Sequence, residues 1–306
     1  MKEPVRNIPA SILARLRNQS ETTHRPFAET LQYFAMERFL YRLSKTKYAE
    51  KFILKGGLLF YVWSLNLRRP TRDIDFRGYV SSDNQSLLRI IRTVIQESAP
   101  EDGIVFNPES VSIEETQIDA DYQGIRVKLT ASLDRTRIPL QIDIGFSDEL
   151  ASKAENIEYP CILPELKSAQ IKSYPKEAVV AEKFHAMVRH AELNSRMKDY
   201  YDLWLLVRTF EFDTHNLQRA IKTTFGQRDT NLPTERPIGL TTTFGSNHQT
   251  HWNGFLEKSK LETEENNNFA KVIELLWEFI EPPLRNSVEE KRSNSRWYPK
   301  KGWKSF

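Results

Sequence analysis

The stretch from Leu54 to Phe76, LKGGLLFYVWSLNLRRPTRDIDF, combines a glycine pair with an Asp-x-Asp pattern in one short span. Apolar residues alternate with acids in RDIDF, which predicts a β-strand. Asp73 and Asp75 then point to one face of the strand, while Ile74 points into the core. Two carboxylates this close repel each other unless a cation lies between them. The stretch therefore predicts a cation site on a buried strand.

A second apolar strand, LQIDIGF, carries a third acid, Asp143. If this strand lies beside the first, the three carboxylates converge and become ligands for Mg²⁺, with Mn²⁺ as the alternative metal. Three carboxylates on neighbouring strands can hold two metal ions, one at the attacking oxygen and one at a departing phosphate. The competing interpretation is a charged strand edge that prevents aggregation.

The glycine pair supplies features that suit a phosphate. Gly56 and Gly57 let backbone N–H groups approach phosphate oxygens, and the apolar run from Leu58 to Leu65 predicts a helix whose positive end faces them. Lys55 adds a point charge. A nucleotide phosphate is the ligand that this turn predicts.

Two arginines follow the same run. Arg69 and Arg72 stand on either side of Pro70-Thr71. The planar fork of a guanidinium matches phosphate oxygens, so both arginines are candidate phosphate ligands.

Composition limits the remaining possibilities. The chain has 306 residues, 39% apolar and 28% charged, with one cysteine, Cys161, so an internal disulfide framework is excluded. No apolar run reaches the length of a spanning helix, and no signal peptide is visible at the N-terminus. A net charge of +3 argues against a general polyanion binder. We expect a soluble, cytoplasmic protein without a membrane partner.

The last sixteen residues, KRSNSRWYPKKGWKSF, carry six Lys or Arg and no acid, interleaved with aromatic residues. Basic and aromatic residues together bind single-stranded nucleic acid through phosphate contacts and stacking. The alternative is a solvated tail whose aromatic rings pack on the protein's own surface.

The periodicity divides the chain into three parts. Residues 1–50 predict helices that pack on a core, residues 51–160 predict a mixed α/β core, and residues 161–306 predict a helical domain. Prolines in 151–170 indicate a linker, and residues 225–250 are typical of a loop.

Charged residues of the helical part permit two interpretations. Lys183 lies beside a buried stripe and could contact a nucleotide phosphate, whereas Asp199 and Asp202 share a helix face with Lys198 and could form an ordinary ion pair. His185 is interpreted as a solvated surface residue, as are the other polar residues of its helix face, Glu182, Arg189 and Glu192.

Several segments together resemble one family, the AbiEii-type nucleotidyltransferase toxins of AbiE-like and MenT-like toxin–antitoxin pairs. The resemblance covers nearly the whole chain through FILKGGLLFYVW, RRPTRDIDF, QIDIGF, EAVVAEKFHAMV and NSRMKDYYDLWLL. It implies an α/β (α+β) fold, with a polymerase-β-like nucleotidyltransferase core and a C-terminal α-helical domain. It also implies an NTP donor, a cognate antitoxin and, in some members, the tRNA 3′ end as acceptor.

The resemblance also assigns site residues by position. Gly56, Gly57, Asp73 and Asp75 match the first motif, Lys183 matches the helical-domain lysine, and either Asp202 or Asp199 matches the last acid. Many nucleotidyltransferases have Gly-Ser where this chain has Gly-Gly, so backbone contacts must replace a serine hydroxyl. Phosphorylation within this motif, thought to silence some members, would fall on Thr71 and crowd the carboxylates with like charge.

These features lead to one main hypothesis, an Mg²⁺-dependent transfer of NMP from an NTP to RNA. Asp73 and Asp75 hold the metal, and Asp143 either completes a second metal site or deprotonates the RNA hydroxyl. Lys55, Arg69 and Lys183 offset triphosphate charge, and Lys183 and Asp202 are further candidate catalytic residues. The other candidate nucleotide-binding residues are Gly56, Gly57, Thr71, Arg72, Lys198 and Asp199. The alternatives are a GTP- or ATP-binding regulatory module without transfer, and NMP transfer to protein.

Overall fold

The computed structural model describes residues 7–63, 69–119, 122–146 and 153–305, whose helices and strands divide between two units. Unit 1 contains the described residues up to Trp63, from Pro70 to Phe146 and from Ala154 to Ser173. Unit 2 contains Arg69, Lys153 and the described residues from Tyr174 onward.

Unit 1 begins with two helices, α1 (Ile8–Thr23) and α2 (Phe27–Ser44). The side chain of Asn7 caps α1 by accepting a hydrogen bond from the backbone N–H of Ala10, which satisfies one of the free donors at a helix start. Thirteen residues of α2 are buried, so this helix forms part of the core rather than a surface cover.

A seven-stranded mixed sheet forms the centre of unit 1, in the order β3-β4-β5-β2-β1-β7-β6. β2 is parallel to β5 and β1 is parallel to β7, while the other neighbours are antiparallel. Helix α2 packs on β5 and β7, and α4 (Asn84–Ile95) packs on β3. The strands are β1 (Phe52–Lys55), β2 (Asp73–Gly78), β3 (Ile104–Asp119), β4 (Tyr122–Leu133), β5 (Thr136–Phe146), β6 (Glu155–Tyr159) and β7 (Ala169–Ser173).

The segment predicted as a linker differs in the structure. Residues 151–170 contain β6 and the start of β7, which extend the main sheet. β7 joins unit 1 because Ile53 and Leu54 of β1 pair with Lys172 and Ser173. The continuous part of unit 2 therefore begins at Tyr174, whereas the predicted helical domain began at residue 161.

Unit 2 consists of helices and a small sheet, in the order β10-β9-β8. Large aromatic side chains such as Trp204 and Trp252 fill its core. The loop predicted at 225–250 contains α8, which Thr241 caps by accepting a hydrogen bond from the N–H of Phe244. The elements are α5 (Lys176–His190), α6 (Met197–Thr209), β8 (Phe212–Asp213), α7 (Thr214–Gln227), α8 (Thr242–Asn247), α9 (Gln249–Ser259), α10 (Phe269–Val288), β9 (Ser295–Tyr298) and β10 (Gly302–Ser305).

The basic aromatic tail forms the hairpin of β9 and β10. The indole N–H of Trp297 donates to the carbonyl oxygen of Val207 at 2.8 Å, and that of Trp303 donates to Phe279 at 3.2 Å. These contacts agree with the interpretation in which the tail's aromatic rings pack on the protein itself.

The predicted fold class, a mixed α/β core followed by a helical region, is confirmed. The longest described helix, α10, has 20 residues and contains Pro282 and Pro283. Within the described parts of the chain, no helix combines the length and the apolar character that crossing a membrane requires.

Candidate active site

Three carboxylates meet on two adjacent parallel strands of unit 1. The register of β2 and β5 places Asp75 opposite Asp143, and Asp73 lies two residues earlier on β2. One ligand oxygen from each acid lies within 4.8 Å of the others. Ile74 is fully buried, as expected for the residue between two acids on a strand. The donor set consists of hard, mutually repelling oxygens, so it fits a divalent cation.

The glycine turn lies directly against these acids. Gly56 has a φ of +71°, and a Cβ there would lie 1.9 Å from Oδ2 of Asp75. A Cβ on Gly57 would lie 2.8 Å from Oγ1 of Thr71. Lys55 pairs with Asp75 in the β1–β2 register. Glycine therefore lets the turn approach the carboxylate of Asp75 at position 56 and the side chain of Thr71 at position 57.

The helix predicted after the turn is short. A 3₁₀ turn spans Gly56–Leu58, and α3 spans only Leu59–Val62. The remainder of the predicted helix, residues 64 and 65, lies outside the described residues. Four residues make a weak dipole, so the proposed contribution of a helix end to phosphate binding is not supported.

Thr71 forms a hydrogen bond with one of the acids, Asp73. Its side chain is buried, and its hydroxyl donates to Oδ1 of Asp73 at 2.7 Å. Its backbone N–H donates to the hydroxyl of Tyr33 at 3.2 Å. The predicted phosphorylation of Thr71 would require this buried hydroxyl to leave Asp73.

Arg126 is a site residue that the sequence analysis missed. Its Nε donates to Oδ1 of Asp143 and its Nη2 donates to Oδ2, both at 2.8 Å. The hydrogen bond to Asp143 raises the pKa of Arg126 above its ordinary value. The signal was the turn between β4 and β5: Leu133 pairs with Thr136, and counting back along both strands from there pairs Arg126 with Asp143.

A second charged cluster lies in unit 2. Nζ of Lys183 on α5 donates to Asp199 at 2.8 Å and to Asp202 at 2.7 Å, both on α6. Arg196 donates to Asp199 at 2.7 Å. Arg69 donates to both oxygens of Asp202 at 3.0 Å. The ammonium of Lys183 thus lies between two carboxylates and holds α5 against α6.

The opposite charges of this cluster stabilise the charged forms of Lys183 and Asp199. Burial by itself lowers the pKa of Lys183, but Asp199 and Asp202 outweigh burial and raise it above its ordinary value. Burial likewise raises the pKa of Asp199, but Lys183 and Arg196 outweigh burial and lower it. The predicted pair of Lys198 with Asp202 is replaced by Lys183 and Arg69. Because Lys183 contacts both aspartates, the geometry does not choose between them as the motif acid.

The sequence model of one family, described as the nucleotidyl transferase AbiEii toxin of type IV toxin–antitoxin systems, matches residues 38–281. This chain belongs to the AbiEii family. The match includes the glycine turn, the three strand acids and the Lys183 cluster. The tail hairpin lies beyond it.

Two crystal structures from Helicobacter pylori are similar to the AbiEii chain. One is of a candidate nucleotidyltransferase, at 15% identity and a TM-score of 0.49, covering 85% of this chain and 96% of the other. The second is JHP933, at 14% identity and a TM-score of 0.48, covering 86% of this chain and 94% of the other. Among curated proteins, none matches at a significant level.

Three further residues of this AbiEii chain were also predicted from the sequence. The surroundings of His185 differ from those expected, and the roles of the other two remain predictions. His185 is buried, not solvated: its Nε2 lies 2.9 Å from the hydroxyl of Thr230 and its Nδ1 lies 3.0 Å from Nη1 of Arg228. The side chains of Arg72 and Lys198 are exposed, and their phosphate contacts remain predictions.

Proposed function

We propose that this AbiEii protein transfers NMP from an NTP to an RNA acceptor, with the tRNA 3′ end as the acceptor and a cognate antitoxin as its natural partner. One observation carries the proposal: Asp73, Asp75 and Asp143 present ligand oxygens within 4.8 Å of one another, beside a turn that admits only glycine. Three converging carboxylates are more than nucleotide binding alone needs, which favours transfer over sensing.

The donor set fits Mg²⁺, because all three groups are carboxylates on strands and not flexible loop residues. Asp73 and Asp75 would hold the first ion, and Asp143 would complete a second position. When bound, Mg²⁺ neutralises triphosphate charge and increases the acidity of the attacking hydroxyl.

The proposed reaction is a displacement at the α-phosphorus of the NTP. The 3′-hydroxyl oxygen of the RNA forms a bond to the α-phosphorus, the bond from this phosphorus to the bridging oxygen breaks, and pyrophosphate leaves with that electron pair. We assign Asp143 as a metal ligand, because its oxygens converge with those of Asp73 and Asp75, and we assign the hydroxyl proton to solvent. The glycine turn and Lys55 orient the phosphates, because catalysis of this kind is mostly positioning and electrostatics.

The family resemblance adds Lys183, with Asp202 or Asp199, as further contributors. In the structure, Lys183 donates hydrogen bonds to both aspartates, and Arg69 donates to Asp202. Arg69 would need to exchange this partner before it could bind a phosphate.

The test is to incubate the full chain with each α-labelled NTP, Mg²⁺ and total RNA. We expect label in RNA with the wild type and with Glu114→Gln, an exposed acid on edge strand β3 of the same sheet, and no label with Asp75→Asn. Label retained with Asp75→Asn would contradict the metal assignment. Nucleotide bound without transfer would indicate the regulatory alternative, and label on protein would indicate NMP transfer to protein.

A further inference from the structure

The hydrogen bonds around Asp143 leave this carboxylate fully engaged. Arg126 donates to each oxygen at 2.8 Å. The side-chain amide of Gln141 donates to the same two oxygens, at 3.3 Å and 3.2 Å. A carboxylate offers about four lone-pair positions, so these two residues occupy its accepting capacity.

Coordination of a cation by Asp143 must therefore displace a donor. Arg126 is the donor that opposes a cation most, because it holds the carboxylate by two short charge-assisted bonds and carries a positive charge itself. Its side chain is 34% exposed, whereas that of Asp143 is 8% exposed. The arginine can consequently move toward solvent, while the acid stays fixed on its strand.

A triphosphate gives Arg126 a second partner. Phosphate oxygens match the fork of a guanidinium as well as a carboxylate does. Arg126 lies on β4, directly opposite Asp143, and β5 is the one strand between it and Asp75 on β2. An NTP bound at the three acids would therefore present anionic oxygens close to this guanidinium.

We propose that Arg126 is a positioning residue that withholds Asp143 from cations in the free protein and releases it when a nucleotide triphosphate takes the guanidinium. This inference rests on the proposed function, since it concerns the same metal site. It assigns an order to the site: a cation is held by Asp73 and Asp75 first, and Asp143 joins only with the nucleotide. Removal of an arginine that only aligned Asp143 as a ligand would not strengthen cation binding through Asp143.

Manganese titration of the full chain without nucleotide tests the inference, with free Mn²⁺ measured by electron paramagnetic resonance. We expect Arg126→Gln to bind Mn²⁺ about tenfold more tightly than the wild type, which is about the strength of one charge-assisted hydrogen bond. Lys128→Gln is the matched control. It removes a cation two residues along β4 that pairs with Glu114 and not with Asp143, and it should leave Mn²⁺ affinity unchanged.

Two further variants keep the test decisive. In an Asp143→Asn background, Arg126→Gln should give no further gain, because the two residues act through one contact. Arg126→Lys keeps the charge but loses the fork, so its Mn²⁺ affinity should lie between those of the wild type and Arg126→Gln. Thermal unfolding shows whether Arg126→Gln folds. If it does not, the Mn²⁺ affinity of Arg126→Lys relative to the wild type tests the inference.

The outcomes separate this inference from the proposed function. Mn²⁺ binding by the wild type that Asp75→Asn does not weaken would contradict the metal site itself. If binding depends on Asp75 but Arg126→Gln binds Mn²⁺ equally or more weakly, the metal site stands and the inference is overturned, because Arg126 then aligns Asp143 as a ligand.

Discussion

The two charged clusters of this protein differ in how the repulsion between their carboxylates is offset. In unit 1, Asp73, Asp75 and Asp143 bring three carboxylates within 4.8 Å of one another. In unit 2, Asp199 and Asp202 also lie close together, but the ammonium of Lys183 bridges them at 2.8 Å and 2.7 Å. The second cluster carries its own cation at the point where the first would receive a metal ion.

From this difference we infer different main roles, metal binding for the first cluster and stability for the second. Buried acids that a lysine bridges form a fixed contact between two helices, and removal of the lysine leaves charges without compensation. Acids that converge on two strands can coordinate an exchangeable ion, which Asp143 joins once Arg126 releases it. We therefore expect substitutions in unit 1 to change activity more than stability, and substitutions at Lys183 to change stability strongly.

The glycine turn gives the largest predicted effect. Gly56→Ala should reduce nucleotide transfer by about a hundredfold or more, because its Cβ would displace Asp75 and a shift of about 1 Å is enough for such a loss. Gly254→Ala, in α9, is the control: a Cβ there meets nothing within 4 Å. We expect it to retain activity and to increase helix stability by about 0.5–1 kcal/mol. Equal activity in the two variants, measured at matched folded fractions, would remove the turn from the site.

The bridging lysine gives the largest predicted change in stability. Lys183→Met should lower the free energy of unfolding by about 3–5 kcal/mol, because two buried carboxylates lose the ion between them. Lys198→Met, an exposed lysine of the same helix pair, should change it by no more than about 0.5 kcal/mol. Urea unfolding measures both values. A stable Lys183→Met variant that has lost transfer would instead identify Lys183 as part of the reaction.

The carboxylates and the turn could be predicted from the sequence because their signals are local. The alternation in RDIDF and QIDIGF placed Asp73, Asp75 and Asp143 on strands, and the period of two placed the first pair on one face. The convergence of Asp143 needed one assumption, that its strand lies beside β2, and the parallel pairing of β2 with β5 satisfies it.

Residues whose environment depends on distant pairing could not be predicted in the same way. Arg126 contacts Asp143 only because the β4–β5 turn fixes the register. His185 has polar neighbours along its helix but is buried against Phe225, with ring centroids 5.1 Å apart. β6 and β7 escaped prediction because Pro160 and Pro164 made their segment resemble a linker, although the pairing of β7 with β1 determines its structure.

Acid should remove the stability that Asp199 contributes to the lysine-bridged cluster. Burial alone would raise the pKa of Asp199, but Lys183 and Arg196 lower it overall, so this residue stabilises the fold above the ordinary carboxyl pKa. That stability is lost as the pH falls below about 4. We expect the free energy of unfolding to fall less steeply there for Asp199→Asn than for the wild type. Glu262→Gln, an exposed acid of unit 2, should retain the wild-type slope.

The smallest predicted effect concerns the hydroxyl of Thr71, which donates to Asp73. Thr71→Val keeps the shape of the side chain but removes the hydrogen bond to Asp73. We expect the free energy of unfolding to fall by about 1 kcal/mol and transfer to fall severalfold, because Asp73 loses a donor that orients it. Thr71→Ser, which keeps the hydroxyl, should recover most of the transfer rate. A Thr71→Val variant with full activity would show that this hydrogen bond has no part in positioning Asp73.

The most direct measurement is the anomalous diffraction of crystals grown with Mn²⁺ and a non-hydrolysable NTP. We predict manganese at about the 2.1 Å coordination distance from oxygens of Asp73 and Asp75, with the carboxylate of Asp143 turned to the same ions and Arg126 on a phosphate. Manganese absent from these three acids, or an Asp143 carboxylate that faces away from the other two, would contradict the account.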